Sequence, residues 1–200
     1  MQILGIVCSP RKNSNTEILI GETLETARQL GAETQVVSVA GKQINPCDAC
    51  NTCYNTGKCK IDDDMQGIYA QMLQADAIIL GAPVYYWDIC AQAKAVIDRT
   101  YLFRRRRELR SKVAGAVIVA GSAGGSVSFN SVMGFFNIQK MILAKSMGPR
   151  TEEELSDDRA GGVIGYAYEA GAISQNLRAM AQARALGRSI VETLELLNHK

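Results

Sequence analysis

Residues 2–16 read QILGIVCSPRKNSNT, an apolar run followed at once by a polar loop. The run from Gln2 to Cys8 is short and rich in β-branched residues, so it predicts a buried strand that ends at Ser9-Pro10. From Asn15 to Leu30 apolar residues recur at helical spacing, and Gly31 follows as a stop signal. Strand, polar loop and helix in this order form the first part of a βαβ unit, which predicts an α/β fold.

The same alternation continues along the chain. Further strands are predicted over Thr34–Val39, Asp76–Ala82, Val113–Ala120 and Val163–Tyr168. Helices are predicted from residues 62–64 to about Gln74, over Ala91–Leu102, from Ser128 or Asn130 to about Met147, and over Ser174–Leu197. We expect one domain over residues 1–200, with a five-stranded parallel sheet, helices on both faces and a cysteine-rich loop inserted after the second strand at about residues 45–62. In such sheets ligands bind beyond the carboxyl ends of the strands.

The amino-acid composition and the charge argue against several classes of protein. The 200 residues are 47% hydrophobic and 21% charged, with a formal net charge of +2, which is ordinary for a globular domain. A charge this close to neutral does not favour nucleic acid as a partner. The apolar runs are shorter than a membrane span, and the first residues lack the order of a secretory signal. We therefore expect a cytoplasmic protein whose thiols stay reduced.

The loop after the first strand favours a phosphate. It contains the hydroxyls of Ser9, Ser14 and Thr16, the amide of Asn15 and the guanidinium of Arg11, and it leads into a helix whose first N–H groups attract anions. It lacks the glycine patterns of dinucleotide sites and of P-loops. Simple helix capping by Ser14 or Asn15 is the alternative interpretation.

Two later loops favour a flat aromatic ligand. PVYYWD (residues 83–88) follows the third strand, and its three consecutive aromatic side chains offer large rigid faces. GSAGGS (residues 121–126) follows the fourth strand, and its glycines allow a ligand to approach the backbone closely. Alternatively, the aromatics plug the end of the sheet or contact another subunit.

Four cysteines are concentrated in one short loop. Cys47, Cys50, Cys53 and Cys59 are spaced CxxCxxCx5C, similar to the runs that bind iron–sulfur clusters, and four thiolates suit a cubane. A structural zinc site is the alternative, although it usually uses two separated CxxC pairs. Cys8 and Cys90 lie in apolar segments, which indicates a packing role.

Together these loops resemble the NADPH-dependent FMN reductase family, which has a flavodoxin-like fold, and the compact cysteine motif resembles its iron–sulfur flavoproteins. The resemblance implies that an FMN phosphate is held by Ser9, Arg11, Ser14, Asn15 and Thr16. It implies that the isoalloxazine is lined by Pro83, Val84, Tyr85, Tyr86 and Trp87, with Ala120, Gly121 and Gly125 near its other edge. It also implies that the four cysteines of the loop bind a [4Fe–4S] cluster.

The resemblance implies an electron-transfer oxidoreductase without dedicated catalytic side chains, because the cofactors carry the chemistry. Expected donors are a ferredoxin or NAD(P)H, expected acceptors are oxygen, peroxide or a quinone-like molecule, and a homodimer or homotetramer is expected. The alternatives are an NAD(P)H-dependent FMN or quinone reductase with structural zinc, and a flavin-based redox sensor. The arginine run 104–107 is either a solvated helix end, a subunit contact, a docking patch for an acidic donor, or a nucleic-acid patch.

Overall fold

A twisted parallel sheet organises the part of the chain that the computed structural model describes, residues 1–145 and 161–198. Its strands are β1 (Gln2–Val7), β2 (Glu33–Ser38), β3 (Ala77–Tyr85), β4 (Asp88–Ile89), β5 (Val113–Ala120), β6 (Ile142–Leu143) and β7 (Gly162–Tyr166). The order across the sheet is β2-β1-β3-β5, and all pairs along it are parallel. The start of β5 pairs with β6 and its end pairs with β7, so these two strands share the fifth place. This is the 2-1-3-4-5 order of flavodoxin-like folds, so the predicted fold class is confirmed. The sheet has seven strands rather than the five predicted, because β6 and β7 share one place and β4 pairs with the end of β3.

Helices cover both faces of the sheet. They are α1 (Asn15–Gln29), α2 (Thr52–Thr56), α3 (Met65–Gln74), α4 (Ala91–Arg99), α5 (Tyr101–Arg106), α6 (Gly125–Ile138) and α7 (Leu177–Asn198), with a short 3-10 helix over Ala172–Gln175. On one face, Ile3 and Val7 of β1 pack in a cluster with residues of α1 and α7. On the other face, Leu4 and Ile6 of the same strand pack in a cluster with residues of α3, α4 and α6. Alternate residues of β1 therefore supply the two hydrophobic cores.

Two predicted helices end earlier than expected, and the second of them also begins earlier, at Gly125 rather than at Ser128 or Asn130. The helix predicted over Ala91–Leu102 is interrupted at Thr100, whose hydroxyl donates a hydrogen bond to the Ile97 carbonyl at 2.7 Å, and the chain continues as α5. The helix predicted to run to about Met147 ends at Ile138, and Met147 itself lies outside the described residues. Lys140 then adopts a positive φ of 62°, which turns the chain back into the sheet as β6.

The segment PVYYWD forms a hairpin, where the prediction had only a loop. β3 extends to Tyr85, and β4 returns antiparallel to it with Tyr85 opposite Asp88. The two turn residues, Tyr86 and Trp87, have φ angles of 50° and 82°. Turns of this kind usually carry glycine or asparagine, so two aromatics at positive φ indicate local strain. Among the described residues, no helix is long and apolar enough to span a membrane.

Candidate functional site

A cavity of about 490 Å³ opens at the carboxyl ends of the strands. Of the sequence-predicted flavin residues it is lined by Ser9, Arg11, Ser14, Asn15, Thr16, Pro83, Val84, Tyr85 and Gly121. Its other lining residues are Lys12, Asn13, Val119 and residues 167–170. The structure thus brings the loops after β1, β3 and β5 together at one place, and the cavity volume is that of a small-molecule or cofactor site.

The first loop presents the amino end of α1 to this cavity. Ser14 caps the helix, since its hydroxyl accepts a hydrogen bond from the Glu17 N–H at 3.2 Å. The first intrahelical bond runs from Ile18 N to Ser14 O at 3.0 Å, so the N–H groups of Asn15 and Thr16 precede it. Capping and anion binding are therefore compatible here, because the cap uses one N–H and the others remain in the first turn. The exposed guanidinium of Arg11 lies on the same loop.

Residues 167–170 line the cavity but were missed by the sequence analysis. The Asn15 amide donates to the Glu169 carbonyl at 2.8 Å, and its oxygen accepts from the Ile173 N–H at 3.3 Å. These bonds join the first loop to the segment that follows β7. Residues 167–170 follow the carboxyl end of β7, and ligands in such sheets bind at these ends, so the same rule could have predicted that they line the site.

Four of the predicted flavin residues do not line the cavity. Tyr86 and Trp87 occupy the hairpin turn and are exposed to solvent. Ala120 is buried at the end of β5. Gly125 begins α6, and a Cβ there would lie 2.7 Å from Ile164 Cγ2, so its small size serves packing against β7.

The four cysteines of the loop line one small cavity of about 30 Å³, together with Arg99 and Tyr101. Cys47 and Cys50 are exposed, whereas Cys53 in α2 and Cys59 are half-buried. Burial raises the pKa of Cys53, and the neighbouring thiols of Cys59, Cys47 and Cys50 raise it further, because thiolates this close would repel one another. A cationic centre would remove that repulsion, so the donor set fits a thiolate-bound metal cofactor. In residues 1–145 and 161–198, no three His, Cys, Asp or Glu side chains converge tightly enough to hold a metal ion.

An ion pair links the two arms of the cysteine loop beside Cys47 and Cys59. Lys60 Nζ lies 2.9 Å from Asp48 Oδ2, which joins the first arm to the residue after Cys59. The hydrogen bond from Lys60 lowers the pKa of Asp48 to about 2. Both side chains are solvent-exposed, so the pair orients the arms more than it stabilises the fold.

The base of the cysteine loop is held by a buried ion pair. Arg99 Nη1 lies 2.8 Å from Asp63 Oδ2, and both side chains are almost completely buried. Arg99 also donates to the carbonyls of Asn45 at 2.8 Å and Ile61 at 3.3 Å. Burial alone would raise the pKa of Asp63, but hydrogen bonds from Arg99 and from the backbone hold it below 3.8. One guanidinium therefore connects residues on both sides of the loop.

The remaining two thiols are inside the protein, as predicted. Cys8 and Cys90 are buried, and Cys90 Sγ donates to the Cys8 carbonyl at 3.1 Å. Burial raises the pKa of Cys8 well above 9.0, which disfavours the reactive thiolate.

The sequence and the fold correspond to those of known proteins. The family model described as NADPH-dependent FMN reductase matches residues 1–149. The chain belongs to this family. It is 36% identical over 199 residues to an iron–sulfur flavoprotein of Methanocaldococcus jannaschii, covering 98% of this chain and 99% of the relative. It is 42% identical over 146 residues to an iron–sulfur flavoprotein of Methanosarcina thermophila, covering 72% and 76%.

A solved structure supports the fold independently. RosB, solved with a riboflavin phosphate intermediate bound, superposes with a TM-score of 0.76 at 15% identity, covering 100% of this chain and 81% of RosB. At this identity the likeness shows the fold alone. The predicted resemblance to iron–sulfur flavoproteins of the FMN reductase family is confirmed, and the chain is a flavin-dependent oxidoreductase of that family.

Proposed function

We propose that this protein is an electron-transfer oxidoreductase that holds FMN in the 490 Å³ cavity and a [4Fe–4S] cluster on Cys47, Cys50, Cys53 and Cys59. It would pass electrons between a ferredoxin or NAD(P)H and a small acceptor such as oxygen, peroxide or a quinone-like molecule. The observation that carries the proposal is the presence of two cavities with different linings. Four cysteines line the smaller one, and the loops at the strand ends line a larger one that suits a phosphate-containing ligand. The relatives are named iron–sulfur flavoproteins, which agrees with a flavin and an iron–sulfur cluster in one chain.

The loop after β1 would bind the phosphate of FMN, and the end of β3 would contact its isoalloxazine ring. The amino end of α1, with Arg11 beside it, suits the phosphate, since both supply positive charge and N–H donors. The buried hydroxyls of Ser9 and Thr16 lie in the same lining. Pro83, Val84 and Tyr85 would contact the ring, because they form the wall contributed by the adjacent strand.

The two cofactors supply complementary chemistry. FMN exchanges a hydride or single electrons, and an iron–sulfur cluster exchanges single electrons, so a protein holding both connects one-electron with two-electron carriers. The chain's own contribution is to bind and orient them. Anaerobic mixing with NADH, NADPH or reduced ferredoxin, followed at flavin and cluster wavelengths, tests the proposed donors. Absence of reduction by all three would contradict the proposed donor classes.

Arg11→Ala is expected to weaken FMN binding by about tenfold to a hundredfold, because a phosphate dianion loses a charge-assisted partner. Titration of apoprotein with FMN, followed by flavin fluorescence, measures the dissociation constant. Arg28→Ala is the matched control, since Arg28 lies in the last turn of the same helix, α1. An Arg11→Ala dissociation constant equal to that of the control would contradict the phosphate assignment.

We also infer a homodimer or homotetramer. Tyr86, Trp87 and Tyr168 are 105%, 64% and 84% exposed around the flavin cavity, and a group of exposed aromatics suits a subunit interface. Sedimentation at micromolar concentration tests it, and a monomer would contradict it. Docking of an acidic ferredoxin on the arginine run stays a prediction.

A further inference from the structure

The wall behind the cysteine loop is the helical segment 99–106, which includes part of the arginine run. Arg105 Nη1 donates to the Tyr54 carbonyl at 2.6 Å, and its guanidinium carbon lies 4.4 Å from the centre of the Tyr54 ring. Arg106 Nη2 lies 3.4 Å from the Thr56 carbonyl. Interpretation of the run as a solvated helix end is therefore incomplete, because two of its arginines contact α2, the helix that carries Cys53.

Gly57 shows how closely the run approaches the loop. It ends α2 at a φ of 71°, and its N–H donates to the Cys53 carbonyl at 2.9 Å. A Cβ at Gly57 would come within 2.5 Å of the Arg106 guanidinium carbon. The left-handed backbone favours a glycine here, and any side chain would also displace the Arg106 guanidinium from its contact with the loop.

Arg99 acts at the other end of the same loop. Its hydrogen bonds to Asn45, Ile61 and Asp63 hold the two segments of the chain that lead into and out of the cysteine loop. Arg105 and Arg106 fix the turn between Cys53 and Cys59. The loop is therefore held at its base and at its far side by residues from a single segment.

We infer that Arg99, Arg105 and Arg106 are positioning residues that hold the backbone of the cysteine loop, so that its four thiols already line one cavity before any iron draws them together. The inference rests on the proposed function for the identity of the cofactor, but the arrangement of the loop is a property of the apoprotein. Its physical basis is pre-organisation: a loop already ordered by protein contacts loses less conformational entropy when it binds. Arginine suits this role because its planar fork bonds several carbonyls and stacks on an aromatic ring at once.

The test compares two double variants with the same loss of charge. Arg105→Gln/Arg106→Gln removes the contacts with α2. Arg107→Gln/Arg110→Gln, the control, removes two exposed arginines from the same part of the chain. In metal-free protein under reducing conditions, hydrogen exchange of the amides of residues 47–60 and alkylation of Cys53 by iodoacetamide report the order of the loop. Each exposed contact is weak, so we expect both rates to rise about three- to tenfold in the first variant and to stay unchanged in the control.

A second measurement follows iron release to a chelator from the anaerobically reconstituted protein. The release rate should rise by a similar factor of about three to ten in the first variant, while flavin content stays the same. The single variants Arg105→Lys and Arg105→Gln separate charge from contact geometry, and we expect the lysine variant to resemble the glutamine variant.

Equal exchange and alkylation rates in the two double variants would overturn the inference, as would full retention of loop order in Arg105→Lys. If the wild-type protein takes up no iron, the proposed function fails, and the metal-free measurements still decide the role of the arginines.

Discussion

Cys53→Ser is expected to abolish iron binding at the cysteine loop and to leave FMN bound. Cys53 lies in α2 and lines the same small cavity as the other three cysteines of the loop. A serine hydroxyl is a poor ligand for the soft iron sites that thiolates favour. Even loss of an outer partner of a metal ligand costs about tenfold to a hundredfold in affinity, so loss of a ligand should cost at least as much.

Iron and acid-labile sulfide per chain, measured after anaerobic reconstitution, check this result. Cys90→Ser is the matched control, because Cys90 is buried and a serine can keep its hydrogen bond to the Cys8 carbonyl. The control should keep its full iron content. Unchanged iron in Cys53→Ser would exclude this residue as a ligand.

Arg99→Met should destabilise the protein by about 3–5 kcal/mol, the largest effect that we expect on folding. The substitution leaves the Asp63 carboxylate buried without its guanidinium, and it also removes the donors to Asn45 and Ile61. Urea unfolding of the metal-free protein measures the change.

Lys94→Met is the control, because it removes an ion pair at the protein surface instead of a buried one. Lys94 and Asp98 also form an ion pair, at 2.6 Å, but both side chains are exposed on α4. Loss of this pair should change the free energy of unfolding by less than about 0.5 kcal/mol. Similar changes for the two variants would show that the buried pair does not stabilise the base of the loop.

The sequence predicts those parts of the site that can be recognised from residues close together in the chain. The strand that ends at Ser9-Pro10 and the four closely spaced cysteines both need only neighbours in the chain to be recognised. The three strand-end loops meet because parallel strands place their carboxyl ends at one edge, which the βαβ rhythm already implied.

The parts that sequence misses depend on distant partners or on unusual backbone. Arg99 bonds Asn45, which is 54 residues away, and nothing near Arg99 in sequence indicates that pairing. Tyr86 and Trp87 were expected at the flavin. Their positive φ angles form a turn outside the cavity lining, which the sequence did not predict, and their contact with the flavin stays a prediction. Aromatic residues are uncommon in such turns, so local propensity gave no signal for it. The short strand β6 is stabilised by pairing with β5, a contact that only the folded sheet provides.

The central claim is that the sulfurs of residues 47, 50, 53 and 59 bind an iron–sulfur cluster in a protein that also holds FMN. The most direct measurement is the content of iron, sulfide, zinc and flavin per chain in protein purified without oxygen, together with its EPR spectrum after reduction. We expect close to four irons, four sulfides and one FMN per chain, with negligible zinc and the EPR signal of a reduced cluster. A yellow protein with one zinc per chain, and without iron or sulfide even after reconstitution, would contradict the account.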